Sequence, residues 1–68
     1  MTTEQKLAAT QNEYVRLYVA DIQAHPEVYK DWVVADPHAA AWDTIDGLDL
    51  NDVRECLASL KKELRAVA

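Results

Sequence analysis

Glycine occurs once in this chain and proline twice, and the positions of Pro26, Pro37 and Gly47 leave little choice of fold. A sheet of several strands needs turn residues at every reversal, whereas abundant Ala, Leu, Glu and Lys favour helices joined by tight turns. The expected fold class is therefore all-α. Residues 1–68 are read as one small helical domain, a bundle of three to four helices with long first and last helices and two short ones between.

The punctuation sets the boundaries. Thr2 and Gln5 have the spacing of a capping box, which predicts a first helix starting near Thr3. It runs until Pro26, which disfavours helical geometry at His25. On this helix Leu7, Ala8, Gln11, Tyr14, Val15, Tyr18, Val19 and Ile22 share one face, and Leu17 falls on the other side. Pro26 suits the first position of a second helix reaching about Ala35, with Val28, Tyr29, Trp32 and Val33 turned inward. Asp36 before Pro37 repeats the device for a third helix that runs to about Asp46. Its apolar positions are Ala41, Trp42 and Ile45, and Gly47 supplies a left-handed terminator.

Asp49 is placed to cap the last helix, where Leu50, Val53, Leu57, Leu60, Leu64 and Val67 recur in steps of three and four. That narrow seam has two readings: a helix packed antiparallel on the first, or the contact of a homodimer. Asp49, Asp52 and Glu55 near the start of this helix, and Lys61, Lys62 and Arg65 near its end, suit the helix dipole and need no further role.

Size limits stability. With 68 residues, a chain buries only about 60% of the surface it exposes when unfolded, so oligomerisation or a partner would add a useful margin. Half the residues are apolar, but many of these are Ala, and Phe is absent. One Cys permits no intrachain disulfide, and no metal-ligand spacing is present, which fits a reducing, cytoplasmic setting. No apolar run approaches the roughly 20 residues that span a bilayer, and no basic region followed by an apolar one opens the chain, so neither membrane insertion nor a signal peptide is expected.

Charge is distributed unevenly. Between Asp31 and Val53 stand six aspartates and not one Lys or Arg; since the whole chain carries −5, the remainder comes to +1. Both tryptophans, Trp32 and Trp42, lie in this stretch. Asp36 is accounted for as a cap, and Asp31 as a solvated position. Asp43 and Asp46 are different: in the last turn of the third helix their charge opposes the dipole. Either Asp46 caps a last helix that begins at Gly47, or the two carboxylates serve something outside the domain. The tryptophans divide in the same way between core residues and interface residues.

Several chemistries lack their residues. The Asp43, Asp46, Asp49, Asp52 series around Gly47 suggests a calcium loop, but alternate ligand positions back from Asp46 would include Trp42, which cannot ligate. His25 and His38 at predicted helix starts, and Cys56 on a helix, have no zinc-site spacing and form no nucleophilic arrangement. A domain this small also leaves little room for a pocket of a few hundred Å³. No metal, no cofactor and no enzymatic activity are expected. Seven basic residues against twelve acidic ones disfavour direct nucleic-acid binding.

The reverse fits better: aspartates beside aromatic side chains favour association with basic surfaces and can compete there with a nucleic acid. The first expectation is an acidic binding protein, in the compositional style of small bacterial or phage accessory proteins, that inhibits or modulates a larger machine. Its expected contact residues are Asp31, Trp42, Asp43 and Asp46, and its partner is another protein with a basic surface. A structural homodimer built on Leu50, Val53, Leu57, Leu60 and Leu64 is the alternative. An antitoxin-like protein that orders on its partner is a third reading.

Overall fold

Thr2 and Gln5 cap the first helix reciprocally. In the computed structural model, which describes residues 1–67 and the side chains of residues 1–65, the Gln5 amide donates to Thr2 Oγ1 at 3.1 Å and the Thr2 amide to Gln5 Oε1 at 2.9 Å. Helix α1 then spans Thr3–Ala24, and its last reach of backbone closes with the His25 amide on the Asp21 carbonyl before Pro26 stops it. Three further α-helices follow: α2 (Asp31–Ala35), α3 (Pro37–Ile45) and α4 (Leu50–Val67). No strand occurs among the described residues, so the fold is all-α.

The segment after Pro26 departs from the expected single helix. Pro26–Val28 makes one 3-10 turn, Tyr29 and Lys30 are extended, and α2 starts only at Asp31. Tertiary contact explains the break. The Tyr29 hydroxyl donates to the Asp21 carboxylate and its ring packs 5.8 Å from that of Tyr18, both on α1. A helix continued through Tyr29 would forgo these contacts in favour of local bonds among Val28 and Tyr29, which are weak helix formers. Of the four side chains expected inward here, Val33 is buried and Tyr29 half-buried, whereas Val28 and Trp32 are 74% and 58% exposed.

Helix α1 is the spine, with α4 and α3 packed along it and α2 against α3. Twenty-two residues at 1.5 Å each give a rod of about 33 Å, which accounts for most of the 38 Å long axis. The main core joins Tyr14, Val15 and Val19 of α1 to Ala41 and Ile45 of α3 and Val53, Leu57 and Leu60 of α4. A smaller cluster of Ile22, Val33 and Ala40 sits under α2, with Tyr18 and Tyr29 against it. Being covered by two helices, α1 buries a wider arc than one face supplies. Leu17, expected outward, is half-buried and packed on the main core, while Ala8 at the other edge is exposed.

The α4 seam is occupied within the chain. Val53, Leu57 and Leu60 are buried in the main core and Leu64 packs against it, with Leu50 half-buried at the helix start. Lys61 Nζ meets Glu13 Oε1 of α1 at 3.0 Å beside this contact. A homodimer through the same seam would require α4 to leave α1. The seam position of Val67 lies outside the described side chains.

Candidate functional site

The six central aspartates separate by role. Asp36 accepts from the Ala39 amide at 3.2 Å and so caps α3, and Asp49 accepts from the Asp52 amide at 2.9 Å at the start of α4. Asp31 and Asp52 occupy the first turns of α2 and α4, where the helix dipole favours a carboxylate. Turn and cap geometry thus accounts for four of them. The stretch is not one uniform acidic face.

Asp43 and Asp46 remain. Helix α3 ends at Ile45 with Asp46 as its extended C-cap residue, Gly47 takes a positive φ of 77°, and α4 begins at Leu50. Asp46 therefore caps no helix N-terminus. Both carboxylates are exposed, and among the described residues neither accepts a hydrogen bond nor joins an ion pair. Each opposes the α3 dipole, at a cost on the order of 0.3 to 1 kcal/mol at an exposed helix end. The local fold gives them no compensating contact.

Trp42 lies near this end, Trp32 is on α2, and both stay accessible. Trp42, expected among the apolar positions of α3, keeps 40% of its surface exposed, because Ala40, Ala41 and Ile45 already fill the helix's buried face. Apart from Met1, every large hydrophobic side chain that is exposed among the described residues lies between residues 28 and 42: Val28, Trp32, Val34 and Trp42. Large aromatic side chains left in water are unusual in a chain with no Phe to spare, and they are the material of binding hot spots. Of the expected contact residues, Trp42, Asp43 and Asp46 share one helix end, and Asp31 stands apart on α2.

Two open grooves flank α1, larger than the sequence suggested for so small a domain. One, of about 480 Å³, runs between α1 and α3 and is walled by Trp42 and His38 against Arg16, with Val15 and Val19 beneath. The other, of about 500 Å³, runs between α1 and α4. Tyr14 and Tyr18 face Asp52, Glu55, Cys56 and Glu63 there. The two rings are 5.7 Å apart, and burial, reinforced by Tyr18 and Cys56, pushes the Tyr14 phenol up to about 12. Sequence reading missed this acidic groove, although a signal was present: Asp52, Cys56, Ser59 and Glu63 follow one flank of the α4 seam in steps of four and three.

The remaining candidates do not converge. His25 is exposed with Nδ1 3.8 Å from Glu27 Oε1, His38 lines the α3 groove, and Cys56 is half-buried in the α4 groove. Among the described residues no group of three His, Cys, Asp or Glu side chains is arranged to hold a metal ion. No helix among them is long and apolar enough to cross a membrane. Comparison with protein-family models, curated proteins and solved structures found no match to this chain.

Proposed function

We propose that this protein is a small binding module that docks the end of α3, with Trp42, Asp43 and Asp46 leading and Asp31 apart from them on α2, on a basic surface of a larger protein and modulates it. The observation that carries this reading is that Asp43 and Asp46 lie unpaired at an unfavourable helix end beside a half-exposed tryptophan. Carboxylates that cost the fold and make no hydrogen bond or ion pair among the described residues are what a partner surface would account for. A carboxylate pair steers a basic surface towards contact, and an indole at its edge supplies apolar area once docked.

Inhibition is the simplest mode of modulation for this chemistry, since an acidic and aromatic face competes for the same basic surface as a nucleic acid. The homodimer reading has less behind it, because α1 covers the seam it would use. The test is a binding titration against a partner captured from the native host. Exchanging Asp43→Asn together with Asp46→Asn should weaken binding about tenfold and flatten its salt dependence, with unchanged circular dichroism. Equal affinity in that double variant would remove the site.

A further inference from the structure

The α1/α3 groove differs in charge from the α1/α4 groove, whose lining includes Asp52, Glu55 and Glu63. In a chain of net charge −5, its lining contains no carboxylate. Arg16 and His38 stand on its two walls, Asn12 and Gln23 add amide groups, and Val15 and Val19 form an apolar floor beneath the exposed indole of Trp42. Arg16 itself is exposed, and neither the Lys61–Glu13 ion pair nor the approach of His25 to Glu27 involves it.

We propose that this groove receives an acidic amphipathic helix of a partner protein, on a binding surface that shares Trp42 with the docking end but uses neither Asp43 nor Asp46. The groove lies between two helices, and its α1 wall, from Asn12 to Gln23, is about 16 Å long at 1.5 Å per residue. That length matches about three turns of a guest helix, whose apolar side chains at three- and four-residue spacing cover Trp42 and the valine floor. A guest carboxylate meets the Arg16 guanidinium, whose planar fork binds it through two parallel hydrogen bonds. A basic guest is disfavoured at the same place, since Arg16 would repel it and no carboxylate lines the groove to offset that.

Two synthetic helical peptides test this, equal in length and in leucine placement, one carrying Glu and the other Lys at every polar position. Amide and indole NMR signals are followed in the wild-type chain, in Arg16→Glu and in the Asp43→Asn, Asp46→Asn double variant. The Glu peptide should shift Arg16, Val19, Gln23, His38 and Trp42 together, and Arg16→Glu should weaken it about tenfold while the double variant does not. Shifts of the same residues by the Lys peptide with equal affinity, no shift by the Glu peptide, or indifference to Arg16→Glu would overturn the proposal. Sedimentation showing that the groove signals move only as the chain self-associates would replace the partner helix with a second copy and overturn the assignment.

Discussion

The Tyr29 hydroxyl donates to the carboxylate of Asp21, binding the extended segment that follows the 3-10 turn to the flank of α1. This one bond and the Tyr18 ring beside it hold the chain where its local preference is weakest, and they set where α2 begins. A hydrogen bond to a charged acceptor contributes roughly 1.5 to 3 kcal/mol, less where solvent reaches it as here. Tyr29→Phe should therefore destabilise the chain by about 1 kcal/mol in urea unfolding, and should speed amide exchange at residues 26–30 more than elsewhere. Asp21→Asn in the same background should add little. Full additivity of the two changes would show that the pair does not interact.

The same pair marks the limit of what the sequence discloses. Capping and termination depend on neighbours three or four residues away, so Thr2 with Gln5, Asp36 before Pro37, Gly47 and Asp49 could all be placed from spacing alone. Tyr29 meets a residue eight positions back across a turn, and nothing local announces that contact. Leu17 was misplaced for a related reason: a helical wheel describes one buried face, and α1 carries partners on two sides. The acidic groove was legible only in part. Its α4 flank repeats at helical spacing, but the tyrosines that complete it come from α1.

Gly47 is the only position with a positive φ among the described residues, and an added Cβ would meet no atom within 4 Å. Any effect of Gly47→Ala is thus backbone strain, not a clash. The cost should be about 1 kcal/mol, since an L residue carries that order of penalty in the left-handed region. Asn, which tolerates this conformation better, should recover part of the loss. Equal urea midpoints for the Gly, Ala and Asn forms would show that the α3–α4 turn relaxes freely.

Ile45 and Val53 are both fully buried where α3 and α4 meet α1. Truncating a buried Ile to Ala costs about 2 to 5 kcal/mol, while a chain of this size holds only roughly 3 to 10 kcal/mol in all. Ile45→Ala should therefore leave a substantial unfolded population at 37 °C. Val34→Ala, at a more exposed position, should shift the thermal midpoint by a few degrees at most. The two circular-dichroism melts would be recorded side by side, and similar midpoints would contradict this core.

Both tryptophans are reachable by water, so the folded chain should fluoresce with a red-shifted maximum and be quenched readily by acrylamide. Trp32, at 58% exposure, should quench more steeply than Trp42, at 40%. Single variants carrying Trp32→Phe or Trp42→Phe separate the two signals, and each should lose less than about 1 kcal/mol of stability because little area leaves the core. A blue-shifted, poorly quenched tryptophan in either variant would mean that the indole is packed inside.

Tyr14 gives the chain an alkaline limit. Its phenol is held up at about 12 in the folded state, first by burial and then by Tyr18, against an ordinary value of 10.0. The folded chain therefore keeps a proton that the unfolded chain releases, and the sign follows. The contribution is complete below pH 10.0 and is lost as pH rises towards about 12, at no more than about 1.4 kcal/mol per pH unit. Tyr29, raised in the same direction by burial and by its bond to the Asp21 carboxylate, acts alongside it. Urea midpoints at about pH 9 and about pH 11 should differ markedly in the wild-type chain and less in Tyr14→Phe, which has no phenol to ionise at that position. An equal drop in both forms would place the alkaline loss on other groups.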